Sequence, residues 1–198
     1  MSATPRAPAG AGEFPARLVD ELASRVRAAE PRLGTVRLVC VDGPAGSGKT
    51  TLATRLGATL GAPVLHMDDL LEGWDGLDAT WPRVRRCVLG PLAAGRPGRY
   101  RRYDWTAEAF AEWHVVPVGE ALVLEGVGSA QRAVDGLASL RVWGEASAAL
   151  RLERGMARDG EAMRPQWLAW MRTEASHFAA QETRARADVR VDGTSLER

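Results

Sequence analysis

The densest chemistry in this chain lies in one short run, Gly43-Pro44-Ala45-Gly46-Ser47-Gly48-Lys49-Thr50, followed by Thr51. It fits G-x-x-x-x-G-K-[ST] at every fixed position. Glycines let a backbone wrap closely around phosphate oxygens. Successive N–H groups of such a loop, and the helix N-terminus behind it, bind an anion. Lys49 then reaches the β- and γ-phosphates, and the Thr50 hydroxyl is a Mg²⁺ ligand. Gly43, Ala45, Gly46, Ser47, Gly48, Lys49, Thr50 and Thr51 are therefore the expected nucleoside triphosphate contacts. Of the 26 basic residues, 25 are arginine and Lys49 is the single lysine. The arginine bias has the bland explanation of a GC-rich genome, yet the one lysine stands inside the motif.

Further acids follow at useful places. Leu65-His66-Met67-Asp68-Asp69-Leu70-Leu71 sets two carboxylates directly after an apolar run. In an open parallel sheet, ligands bind beyond the C-terminal strand ends. A carboxylate there accepts the proton of an attacking hydroxyl or helps to hold Mg²⁺. His66 reads as a strand residue at the edge of a polar pocket rather than a catalytic group. Leu122-Val123-Leu124-Glu125-Gly126 is a second apolar run ending in an acid. Burying that acid is costly without a cation or hydrogen bonds, and Mg²⁺ beside the phosphate loop is a ready partner.

Arginines cluster in two segments. Arg151, Arg154 and Arg158 fall three and four residues apart, on one helical face. Such a face closes over a triphosphate and neutralises transferred charge, or is simply solvated. Arg99, Arg101 and Arg102 interleave with Tyr100 and Tyr103, ahead of Asp104 and Trp105. This segment reads as the lip of an acceptor pocket, with the aromatics stacking on a ring and Asp104 binding a hydroxyl. Stacking on single-stranded nucleic acid is the weaker reading in a near-neutral chain.

These groups need elements to carry them. Phe14, Leu18, Leu22 and Val26 have helical spacing, so residues 14–30 read as an amphipathic helix. Residues 36–41, 63–66, 121–124, 140–143 and 189–191 read as short buried strands. Helices are expected over 48–60, 81–94, 146–158 and 165–185, with Pro82 in the first turn of the second of these. Trp167, Met171 and Phe178 read as core residues of the last. Residues 67–78 and 95–104 read as loops, and 107–113 as a short helix. Strands alternating with helices imply a parallel sheet covered on both faces.

Length and composition agree. The chain has 198 residues, 45% hydrophobic and 26% charged, enough for a full core. Its net charge of +1 argues against a nucleic-acid or polybasic membrane partner. No apolar run is long enough to span a bilayer. Two cysteines, Cys40 and Cys87, read as free thiols of a reducing, cytoplasmic compartment. Residues 1–12, rich in Ala, Pro and Gly, read as a disordered tail, and 13–198 as one domain.

Taken together, GPAGSGKTT, HMDDL, YRRYDW, LVLEG and RLERGMARDG resemble the uridine kinase branch of P-loop kinases, with pantothenate kinase and phosphoribulokinase as cousins. The resemblance spans about residues 37–193. It implies a three-layer α/β/α P-loop NTPase fold with a parallel sheet of about five strands and a short lid. It also implies ATP and Mg²⁺, and a small hydroxyl compound as acceptor, a nucleoside first and a nucleoside monophosphate second. By resemblance Asp68 is the catalytic carboxylate and Glu125 the Mg²⁺-associated acid with Thr50. Asp69, Arg102, Tyr103 and Asp104 lie on the acceptor side, and Arg154, Arg158 and Asp159 in the lid. A non-kinase ATPase module is the alternative, and a homo-oligomer is left open. The chain departs from the family's pattern after Trp105, where Thr106-Ala107-Glu108-Ala109-Phe110 replaces a His- and Arg-containing segment. It departs again at Leu70 and Leu71, which replace an aromatic pair.

Overall fold

The structure, a computed structural model, describes residues 14–194. The tail expected over 1–12 lies outside them. Five strands form one parallel sheet: β1 (Arg37–Asp42), β2 (Val64–His66), β5 (Ala121–Glu125), β6 (Ala138–Glu145) and β7 (Val189–Asp192). Their order is β2-β5-β1-β6-β7. All the neighbouring pairs run parallel. The chain leaves central β1 towards one edge and later returns to its other side. That change of direction opens a crevice at the C-terminal end of β1, the expected ligand position in such sheets.

Both faces of the sheet are buried, which is why its strands are apolar throughout rather than alternating. Leu38 and Cys40 of β1, with Leu122 and Leu124 of β5, face one core. Val39, Val41, Ala121 and Val123 face the other. Each large apolar side chain so buried contributes about 1.5–3 kcal/mol. The second core is covered by α1 (Ala16–Ala28) and α2 (Lys49–Leu60). Gly61, left-handed at φ 63°, ends α2 as the sequence suggests. The first core is covered by α3 (Leu77–Val84), a π turn over Arg85–Leu89 and α4 (Gly90–Ala93). The helix expected from residue 81 thus begins at Leu77, and Pro82 lies well inside it. Thr80, fully buried, bonds its hydroxyl back to the Gly76 carbonyl at 2.9 Å and extends that first turn.

The clearest departure from expectation is a hairpin. Residues 95–104 were expected as a loop and 107–113 as a helix. Instead β3 (Gly98–Asp104) pairs antiparallel with β4 (Ala109–Val116). In β3 a register shift after Arg101 turns Tyr103 inward, while over the first four residues Gly98 and Tyr100 turn inward and Arg99 and Arg101 face out. That two-residue alternation marks a strand with one covered face. Ala107, Phe110 and Trp113 at intervals of three mimic a helix, but β-formers in β4 such as Phe110, Trp113, Val115 and Val116 prevail. Helices α5 (Ala148–Asp159), α6 (Arg164–Gln181) and α7 (Thr183–Arg186) complete the fold. No helix of the described residues is long and apolar enough to cross a membrane.

Candidate active site

The phosphate loop connects β1 to α2 over the centre of the sheet. Gly43 sits at φ 138°, and a Cβ there would run into the Gly144 carbonyl oxygen. Only glycine fits. At Gly46 (φ 80°) a Cβ would lie 2.8 Å from the Arg151 carbonyl oxygen of α5. The loop is therefore packed against the helix behind it, and its shape is fixed from outside. Lys49 is buried, and its ammonium group donates to the Pro44 carbonyl at 3.0 Å. Thr50 and Thr51 lie in the first turn of α2, whose leading N–H groups have no partner within the helix.

Parallel register builds the acidic side. His66 of β2, Glu125 of β5 and Val41 of β1 are successive cross-strand partners. Their side chains leave the sheet at the same end as the loop. Glu125 is 5% exposed. Its Oε1 accepts from the Thr50 hydroxyl at 3.2 Å, and its Oε2 lies 2.6 Å from His66 Nδ1. The hydrogen bond to Glu125 raises the His66 pKa above its ordinary value. Asp68 follows on the short 3₁₀ turn Met67–Asp69. Asp68 is exposed on that turn. Loss of water raises its pKa, and the Glu125 charge adds to this; Lys49, Arg158 and His66 oppose. Thr50, Glu125, Lys49 and Asp68 thus form one cluster.

A buried acid that sequence reasoning passed over completes the crevice. Asp42 ends β1 and is fully buried. It accepts from the backbone N–H of Gly43 at 2.7 Å, Gly128 at 3.1 Å and Ala130 at 2.8 Å. The start of the phosphate loop and the turn after β5 are pinned to one carboxylate. Burial nevertheless pushes its pKa up to about 6. An acid at the end of an apolar strand, beside the loop, was its only sequence signal.

The arginine face of α5 divides between two tasks. Arg151 Nη1 reaches Glu174 Oε1 at 2.6 Å and the Ala45 carbonyl at 3.3 Å. Glu174, buried on α6, accepts from the Ala45 N–H at 2.8 Å, and burial raises its pKa. Arg154 donates to the carbonyls of Gly46 at 3.0 Å and Gly193 at 2.9 Å. These two arginines grip the outside of the loop. Of the three, Arg158 lies within electrostatic reach of Asp68. Asp159 holds its guanidinium at 2.8 and 3.0 Å, over the Trp167 ring.

On the acceptor side the expected residues separate. Asp69 accepts from the Tyr100 hydroxyl at 3.0 Å. Tyr103 is buried edge-on against Trp105 and Phe110. Trp105, 37% exposed, donates its indole N–H to the Asp68 carbonyl at 3.2 Å. It also packs on Trp74, which in turn meets Trp170. Asp104 faces the hairpin turn, accepting from the N–H groups of Thr106 and Ala107 at 3.0 Å each and from Arg102 at 3.1 Å. Those bonds lower its pKa. Arg102 also pairs with Glu112 at 2.6 Å. Asp69, Tyr103 and Trp105 thus gather beside the Met67–Asp69 turn, whereas Arg102 and Asp104 bind each other and the hairpin turn.

With this geometry in place, known structures can be set beside it. A structure described as a possible uridine kinase from Bacillus stearothermophilus superposes with a TM-score of 0.65 at 20% identity, over 88% of this chain and 97% of that one. A proposed fructose transport system kinase from Silicibacter sp. TM1040 gives 0.62 at 20% identity, over 87% and 98%. The fold is that of the uridine kinase-like P-loop kinases. No family model and no curated protein matches the chain. The P-loop kinase fold accounts for the crevice at β1 and for the loop that fills it. The hydrogen bonds of His66, Asp42 and Glu174 described above are features of this chain's own side chains.

Proposed function

We propose that this chain is an ATP-dependent phosphotransferase that moves the γ-phosphoryl group to a hydroxyl of a small, uncharged acceptor, with a nucleoside the first candidate. One observation carries this reading. The phosphate loop, the Thr50–Glu125 pair and Asp68 meet at the C-terminal ends of three adjacent strands. Phosphoryl transfer asks mainly for positioning and charge stabilisation, and these are the groups that supply both. The preference for ATP and the nucleoside acceptor rest on the resemblance to the uridine kinase branch.

The residue chemistry follows from placement. Backbone N–H groups of the loop and of the first turn of α2 bind phosphate oxygens. Lys49 gives up its bond to Pro44 and takes the β- and γ-oxygens. Asp68, its pKa raised, is a stronger base than an ordinary carboxylate and takes the proton of the acceptor hydroxyl. Arg158 faces the charge that develops on the transferred group. Mg²⁺ fits the site: Thr50 and Glu125 are hard oxygen donors side by side, and this ion takes one or two protein oxygens with phosphates and water. Bound there, it would neutralise phosphate charge.

The arginines argue for an uncharged acceptor over a monophosphate. A phosphate-bearing acceptor needs its own clamp, and the arginines of the acceptor-lip segment are Arg99, Arg101 and Arg102. Arg99 lies over Trp113, Arg101 donates to the carbonyls of Phe110 and Ala111, and Arg102 pairs with Glu112 and Asp104. Each is spent on the hairpin itself. Trp74, Tyr103 and Trp105 form an edge-to-face aromatic cluster instead. The two free cysteines, Cys40 and Cys87, are consistent with a cytoplasmic setting for such an enzyme.

The test is ADP release from ATP–Mg²⁺ with a panel of nucleosides, nucleoside monophosphates, pantothenate and sugars. One uncharged compound should raise the rate well above background and gain a phosphate by mass. Acceleration only by monophosphates would overturn the uncharged acceptor. Slow release indifferent to every compound would favour an ATPase module instead.

A further inference from the structure

We infer that His66 is a positioning residue, which fixes the Glu125 carboxylate so that its other oxygen stays beside the Thr50 hydroxyl. The inference rests on the phosphotransferase reading of the same site and assigns a task to a side chain which that reading leaves idle. Three observations converge on it.

Strand register comes first. His66 and Glu125 are direct partners on adjacent parallel strands, each the last residue of its strand. Their side chains therefore leave the sheet together. Contact is the second. Nδ1 of His66 lies 2.6 Å from Glu125 Oε2, while Glu125 Oε1 holds Thr50 at 3.2 Å. Each carboxylate oxygen has a partner, one on β2 and one on α2. A carboxylate has no hydrogen to give, so the ring nitrogen facing it carries the proton and donates. Setting is the third. Glu125 is almost fully buried, and an unpaired carboxylate there would be costly and free to rotate. His66 is the neighbour whose geometry removes that freedom without competing for Oε1.

Partners of this kind, one bond removed from a cation's ligand, orient that ligand, and their loss commonly costs 10–100-fold in metal affinity. The same arrangement explains why a histidine, and not a further apolar residue, ends β2. A leucine at 66 would extend the core pattern but leave Glu125 Oε2 bare.

The experiment reads cation binding directly. Mn²⁺ serves as a paramagnetic probe, titrated by electron paramagnetic resonance onto the protein bound to a non-hydrolysable ATP analogue. His66→Ala should weaken Mn²⁺ binding about 10–100-fold. Binding of the analogue in EDTA should be unchanged. His66→Asn, whose amide N–H stands where Nδ1–H stood, should return affinity to within a fewfold of the parent. Thermal unfolding of each variant verifies that it is folded. Parental Mn²⁺ affinity in folded His66→Ala overturns the inference. So does equal weakening in the Ala and Asn variants, since the donated bond would then not be the cause. If the unaltered protein binds no Mn²⁺ with the analogue, the phosphotransferase reading fails first, and the inference falls with it.

Discussion

The two sides of the cleft are built in opposite ways. On the phosphate side, polar groups are held by the frame and aimed inward: Lys49, Thr50 and Glu125 converge while Arg151, Arg154 and Glu174 brace the loop from outside. On the hairpin side, charged groups satisfy one another locally, as Arg102 does with Glu112 and Asp104. The aromatic rings there pack on one another, and Asp69 accepts from Tyr100. The difference teaches where specificity resides. On the proposed reading, phosphate recognition is electrostatic and preorganised by the fold, whereas acceptor recognition is left to shape and stacking. Removing one group should therefore have large effects on the first side and small ones on the second.

The largest effect is expected at Asp68. Asp68→Asn keeps the shape and removes the base, so kcat should fall by about 10²–10⁴ with little change in the KM for ATP. Steady-state kinetics on the identified acceptor measure this. A loss below tenfold would move the proton-accepting role elsewhere. Next comes Lys49→Ala, with an expected loss of about 10²–10³ in kcat while the far-ultraviolet dichroism stays that of the parent. Unchanged turnover in that folded variant would falsify the phosphate-loop mechanism.

The same contrast governs what could be read from the chain alone. The phosphate loop was legible because its chemistry is contiguous: glycines, lysine and threonine act through neighbouring backbone. Glu125 was legible because an apolar run ends in an acid. His66 was legible as a strand residue at a polar edge, but its bond to Glu125 was not, because that partner lies 59 residues away and is brought to it by strand register. The spacing of Arg151, Arg154 and Arg158 was plain, but their targets were not. Two of the three face the loop's own carbonyls rather than a ligand. The hairpin was misread because local periodicity competes with tertiary cover. Residues 107–113 read as a short helix, and pairing of residues 109–116 with β3 decided otherwise.

A third prediction probes the frame beneath the phosphate side. Asp42 has a folded pKa pushed up to about 6 by burial, against an ordinary 3.8. The native state therefore holds its proton more tightly than the unfolded chain does. Stability from this group is fully present below about pH 4 and is lost as pH rises towards 6, by about 3 kcal/mol. The acids with lowered pKa values, such as Asp104 and Asp159, act in the opposite sense below the ordinary carboxylate range. Asp159 is raised by burial but lowered more by its bonds to Arg158 and Trp167. Subtracting the denaturation profile of Asp42→Asn from that of the parent isolates the term. The variant itself should lose about 1–3 kcal/mol at neutral pH, since an amide cannot accept from Ala130 as well as from Gly43 and Gly128. A flat difference between pH 4 and 6 would mean that three N–H donors offset the burial entirely.

The smallest effects sharpen the comparison most. Trp105→Ala removes part of the aromatic cluster and its bond to the Asp68 carbonyl, so the acceptor KM should rise about tenfold, or about 1.4 kcal/mol. Arg102→Ala, a few residues earlier on the same hairpin, should change that KM less than threefold and stability by less than about 1 kcal/mol. Its guanidinium is partly exposed and committed to Glu112 and Asp104, so solvent already discounts the pair. The contrast between two neighbours is what tests the reading. If stacking selects the acceptor, the tryptophan matters and the arginine does not. A tenfold KM rise in Arg102→Ala that appears only with monophosphates would reverse this, because the arginine would then have to leave its acids to meet the acceptor. In that event the hairpin would be a clamp that opens on binding, and the two sides of the cleft would be built alike.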